Sequence, residues 1–97
     1  MNNVLLEPSE QGQQVFVIKN GGKKLAEMVT KISGQVMTVY HTEVAPEEEG
    51  KGLAKELFNK MVAHAREQQL KILPLCVFVQ NQLKKHPELY TDVWDRS

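Results

Sequence analysis

The stretch Val44-Ala45-Pro46-Glu47-Glu48-Glu49-Gly50-Lys51-Gly52-Leu53-Ala54 marks the point where the hydrophobic pattern of the chain changes period. Before it, Gln35 to Val44 is rich in Val, Thr and Tyr, residues that suit a pleated, half-buried strand. After it, Leu53, Leu57, Met61 and Ala65 recur every fourth position, and Ala54, Phe58 and Val62 fill the adjacent row. That spacing predicts one apolar stripe of a helix from about Gly52 to Gln68. A strand therefore enters the glycine segment and a helix leaves it. At a helix start several backbone N–H groups have no intrahelical partner, and the macrodipole adds partial positive charge. Such a place holds a diphosphate well. Glycines let the backbone come close to the anion, and Lys51 offers a cation at the rim. On the motif alone, a glycine-rich turn opening an amphipathic helix would look the same. The segment is not a Walker A loop, and it lacks the third glycine of a dinucleotide fingerprint.

Upstream, Val15-Phe16-Val17-Ile18 runs into Asn20-Gly21-Gly22, a strand feeding a hairpin turn. Lys24 to Ile32 is the next strand, with Ala26, Met28 and Ile32 on one face and Glu27 and Lys31 on the other. Ser33-Gly34 turns the chain into Gln35–Val44, which completes a three-strand antiparallel meander. Downstream, Leu70 to Val79 is mainly apolar, and its first half predicts a buried strand. Strand, helix and strand form a βαβ unit. Pro74 lacks an N–H, so ladder pairing should fail near it. A short helix is predicted over Val77–Lys85 and stops at His86-Pro87. Leu89, Tyr90, Val93 and Trp94 are expected to anchor the tail, on the core or on a partner chain. His64 falls on the polar helix face and is expected in solvent.

The 97 residues predict one domain, residues 1–97, with 12 basic and 12 acidic side chains. This balance gives no bulk reason to bind nucleic acid or an anionic membrane, so any anion site is local. No apolar run approaches the roughly 20 residues that span a bilayer. The N-terminal residues carry no basic-then-apolar leader pattern. The single cysteine, Cys76, fits a reducing, cytoplasmic compartment. No His, Cys, Asp or Glu spacing suggests a metal site, and none is expected.

His41-Thr42-Glu43-Val44, Glu49-Gly50-Lys51-Gly52-Leu53-Ala54, Pro74-Leu75-Cys76-Val77-Phe78-Val79 and Lys85-His86-Pro87-Glu88-Leu89-Tyr90 occur in this order. Together they resemble the small, minimal branch of the GNAT N-acetyltransferase superfamily, over roughly residues 13 to 93. The superfamily's Gln/Arg-x-x-Gly-x-Gly/Ala pattern falls on Glu49 to Ala54, and Glu49 departs from its first residue. The resemblance implies an α+β, minimal GNAT-like fold. In it, a three-strand antiparallel meander precedes a βαβ unit with splayed parallel strands and a short C-terminal helix. It further implies acetyl-CoA as co-substrate. Residues Glu49, Gly50, Lys51, Gly52, Leu53 and Ala54 would hold its pyrophosphate. Its pantetheine would run between the strands ending near Val44 and Leu75, with an oxyanion stabilised by a backbone N–H near Val44.

Three side chains are candidates for the chemistry. Cys76 ends the buried strand where the thioester is expected and is a candidate nucleophile, or else a small buried hydrophobe. His41 is a candidate base for an amine or for the Cys76 thiol, or a hydrogen-bonded strand histidine. Glu43 is a second candidate base, and strict alternation puts it on one face with His41. Lys84, Lys85 and His86 could meet the adenine-ribose phosphate, or simply solvate a helix end. The short first hairpin leaves no room for the two helices that wall the acceptor site in larger GNAT enzymes, so that side is expected to be open. The sequence reading is an N-acetyltransferase acting on an unidentified amine or protein acceptor, as a monomer or homodimer. A non-catalytic acyl-CoA-binding module and a protein-interaction domain are the alternatives.

Overall fold

The computed structural model describes residues 3–95. Five strands form one sheet in sequential order: β1 (Val4–Pro8), β2 (Gln14–Asn20), β3 (Lys23–Ser33), β4 (Val36–Val44) and β5 (Lys71–Pro74). The first four are antiparallel neighbours, and β5 runs parallel to β4. Helix α1 (Leu53–Glu67) makes the β4-to-β5 crossover, and α2 (Val77–Lys85) follows β5. The meander, the βαβ unit and both helices stand where the periodicity puts them. Strand β1 extends the meander by one strand that the pattern did not reveal.

The predicted stripe of α1 is the buried one: Leu53, Leu57, Phe58, Met61, Val62 and Ala65 face the sheet. They meet Phe16 and Ile18 of β2, Met28 of β3, and Met37 and Val39 of β4 in a single core cluster. Thr30, also fully buried in β3, satisfies its hydroxyl by donating to the Gln14 carbonyl at 2.7 Å. Helix α2 lies beside α1: Phe58 meets Phe78 edge-on, and Lys55 Nζ donates to Gln82 Oε1 at 2.7 Å. The tail closes the β5 side. Val93 is buried, Trp94 forms a parallel bridge with Ile72, and Tyr90 stacks edge-on against Phe58 at 5.5 Å. Arg66 donates to Asp92 and to the Leu89 carbonyl, pinning the tail to the end of α1. His64 departs from expectation: it is half-buried, its ring edge-on to Phe16 at 5.7 Å, because the apolar contact of α1 extends past the fourfold rows.

One irregularity sets the geometry that matters. Val29 pairs with His41, but Thr30 pairs with Val39, leaving Tyr40 as a bulge in β4. An extra residue reverses the inward–outward alternation beyond it. Met37 and Val39 therefore face the core before the bulge, and Thr42 and Val44 face it afterwards. No helix among the described residues is long and apolar enough to cross a membrane.

Candidate functional site

Parallel pairing of β4 with β5 ends at Val39 opposite Pro74. The Leu75 and Cys76 N–H groups both close on the Val39 carbonyl, at 3.0 and 3.1 Å, and the chain then turns into α2. The N–H groups of Lys71 and Leu75 donate toward β4, so the missing N–H of Pro74 falls on the opposite edge, and the ladder ends because the chain turns away after Leu75. Beyond Val39, β4 runs on to Val44 with β3 on one side and no strand on the other. Two parallel strands thus part in a V, with a free strand edge along Tyr40 to Val44. The Ala45 N–H donates to Leu25 at 2.8 Å, toward β3. Alternation therefore directs the Val44 N–H into the opening.

The mouth of the V is the glycine segment. A short 3₁₀ turn spans Pro46–Glu48, and Gly50 and Gly52 follow with φ of 83° and 81°. These left-handed values are what glycine is needed for, since a Cβ at either position would meet nothing within 4 Å. Gly52 caps α1 without a side-chain bond, and its carbonyl accepts from the Glu56 N–H at 3.1 Å. Among the described residues, none of the backbone N–H groups from Gly50 to Lys55 donates to another protein atom. Such a row of free donors at the positive end of a helix of 15 residues has the charge and geometry that suit an anion. Glu48 turns back to Lys51 at 3.0 Å, and Glu47 reaches Lys23 at 3.4 Å, so two of the three acidic side chains are ion-paired. Glu49 is exposed. Lys85, also exposed, sits one turn beyond Gln82, the partner of Lys55, and so on the flank of α2 that faces the start of α1.

The three candidate side chains separate into two groups. Cys76 is buried at the N-cap of α2, on the core side, with Thr42 Oγ1 3.4 Å from its Sγ. His41 and Glu43 lie on the sheet face opposite α1, where His41 Nε2 is 3.9 Å from a carboxylate oxygen of Glu43 and also of Glu27. The structure brings His41 and Glu43 together, as alternation predicts, and places Cys76 with Thr42 instead. Glu27 and Thr42 are the residues that sequence reasoning missed. Thr42 carried no signal before the bulge was known, and Glu27 is joined to His41 only through the β3–β4 register. A cleft of about 320 Å³ opens beside this face, lined by Lys24 and Glu27 of β3 and by Glu43, Ala45 and Pro46 after the bulge.

Comparison with known proteins gives the same outline. A sequence model described as GCN5-related N-acetyl-transferase matches residues 15–93. The chain superposes on the solution structure of a GCN5-like candidate N-acetyltransferase from Staphylococcus aureus with a TM-score of 0.70 and 32% identity, covering 98% of this chain and 91% of that one. An IAA acetyltransferase from Bacillus cereus shares the fold at TM-score 0.67 and 18% identity, over 92% of this chain and 75% of that one. The ribosomal-protein-S18-alanine N-acetyltransferase from Escherichia coli does so at TM-score 0.62 and 16% identity, over 68% of this chain and 43% of that one. No curated protein matches the sequence significantly.

Proposed function

The chain belongs to the GCN5-related N-acetyltransferase family, and from that premise we propose that it binds acetyl-CoA in the V between β4 and β5 and passes the acetyl group to an amine. The observation that carries this reading is the continuity of free donors. The edge of β4 from Tyr40 to Val44 leads directly to the unpaired N–H groups of Gly50 to Lys55. Pantetheine amides pair with the strand edge, and the diphosphate sits on the helix start, with Glu49, Gly50, Lys51, Gly52, Leu53 and Ala54 around it. Lys85 lies on the flank available to the ribose phosphate. These interactions hold the thioester in place, and positioning alone supplies much of the rate. The Val44 N–H is directed into the opening and stabilises the developing oxyanion.

The amine approaches from the sheet face opposite α1. There His41, half-exposed and flanked by Glu27 and Glu43, takes the proton as the nitrogen attacks. The tetrahedral intermediate then expels the coenzyme A thiolate. A second route has one observation in its favour. Cys76 sits at a helix N-cap with a hydroxyl at 3.4 Å, so it could accept the acetyl group first and release it to the amine. The free thiol suits a reducing, cytoplasmic setting.

Calorimetric titration with acetyl-CoA, followed by a thiol-release assay over a panel of amines and peptides, tests the reading. Saturable binding with amine-dependent release of coenzyme A supports it. Binding without release would leave a non-catalytic acyl-CoA module, and no binding at millimolar ligand would remove the coenzyme site altogether. Mass spectrometry after incubation with acetyl-CoA separates the routes. One acetyl group on the protein, absent in Cys76→Ala, selects the covalent one.

A further inference from the structure

We propose that Glu27, His41 and Glu43 form a site for a borderline divalent transition-metal ion of the Zn²⁺ type on the sheet face opposite α1. The donor set is one imidazole and two carboxylates, a combination that suits Zn²⁺ or Co²⁺ better than Ca²⁺ or Mg²⁺. The three donor atoms all lie within 4.8 Å of one another, and His41 Nε2 stands 3.9 Å from an oxygen of each carboxylate. Donors around a tetrahedral zinc at about 2.0–2.2 Å stand roughly 3.4 Å apart, so small rotamer adjustments of two glutamates close the shell.

The backbone beneath the site is paired strand. Glu27 and Glu43 are directly opposed across the β3–β4 ladder, and His41 lies two residues earlier on the same face. Three protein ligands leave further coordination positions to water, facing the open cleft.

One feature opposes the ion. Lys24 Nζ holds Glu27 Oε1 at 2.7 Å. The geometry divides that carboxylate, because it is the other oxygen, Oε2, that faces His41. With Lys24 included the cluster still carries net negative charge from its carboxylates, which favours a dication. Metal binding would take the lone pair that His41 needs as a base, so occupancy would also slow acetyl transfer. The site itself does not depend on the acetyltransferase reading, since only these three side chains define it.

The test uses the full chain, stripped with a chelator and titrated with Co²⁺ while its visible absorption is followed, then with Zn²⁺ by calorimetry. The expected result is one ion per chain, with the intense bands of four- or five-coordinate Co²⁺. Binding in His41→Ala and in Glu43→Gln should weaken at least about tenfold, the lower end of what even an outer-shell partner contributes. Binding in Lys24→Gln should tighten, and Cys76→Ala should leave it unchanged. All the substituted positions but Cys76 are surface residues, so folding is retained in those variants. Co²⁺ spectra of the free aqueous ion, or Zn²⁺ affinity that survives His41→Ala unchanged, would overturn the proposal. So would affinity that depends on Cys76.

Discussion

Gly52 offers the sharpest test of the proposed anion site, because the structure separates its conformational role from its spatial one. Its φ of 81° and ψ of 14° lie in the left-handed region, and a Cβ there would touch nothing within 4 Å. Substitution by alanine therefore brings strain without a clash. A non-glycine residue in this region costs about 1–2 kcal/mol. Alanine returns part of that, about 0.4–1 kcal/mol, by restricting the unfolded chain. The net loss for Gly52→Ala should be about 1 kcal/mol, which in a domain of this size lowers Tm by roughly 4–8 °C. Asparagine tolerates the left-handed region, so Gly52→Asn should melt close to the wild type. The Asn side chain nonetheless stands beside the free N–H groups of Lys51, Leu53 and Ala54, where the diphosphate is proposed to rest. Coenzyme A present at 100 times its Kd stabilises a binding protein by about 2.7 kcal/mol. Thermal melts with and without coenzyme A should show that gain in the wild type and a much smaller one in Gly52→Asn. If Gly52→Ala melts with the wild type, the loop is not held in the left-handed conformation. If Gly52→Asn keeps the full ligand-induced shift, the glycine segment does not line the phosphate.

The other predictions concern the core, the tail and the thiol. Phe58 is fully buried, with Phe78 and Tyr90 edge-on at 6.5 and 5.5 Å. Phe58→Ala should cost about 3–5 kcal/mol, a large share of the stability of a domain this size, seen as a lowered urea midpoint. Asp92 is held below the usual carboxylate range, chiefly by its hydrogen bond from Arg66. A depressed folded-state pKa contributes stability above the unfolded value of 3.8 and loses it as pH falls further. More than half of this side chain is exposed, so the contribution is under about 1 kcal/mol. In melts across that acid range the wild type should lose its advantage over Asp92→Asn, whereas parallel curves would show that the latch contributes nothing. Cys76→Ser should leave coenzyme A binding intact. If its amine-dependent release of coenzyme A matches the wild type, transfer is direct and the thiol is packing.

The parts of this molecule that were legible in its sequence are those fixed by local pattern. The fourfold row from Leu53 to Ala65 defined α1 to within a residue at each end, and Pro74 marked the last rung of the parallel ladder. Strand β1 was not legible because Val4-Leu5-Leu6-Glu7-Pro8 does not alternate. An edge strand takes its identity from the neighbour it pairs with. The Tyr40 bulge was invisible for the same kind of reason, since an inserted residue is defined only against the partner strand. Its effect on the site is large. It turns Thr42 toward Cys76 and leaves His41 with Glu27, whose side chain is 14 positions away in sequence (41 − 27) and adjacent only through the β3–β4 register. Consecutive residues of a strand face opposite sides, so the Cys76 thiol beside Thr42 and the His41 imidazole lie on different faces of one sheet. The backbone donors of β4 lie in the plane between them. The proposed coenzyme site therefore draws on backbone donors that a glycine-rich helix start leaves free, and that pattern is local in the sequence. Which face each candidate side chain takes depends on one inserted residue, and it follows only from the register.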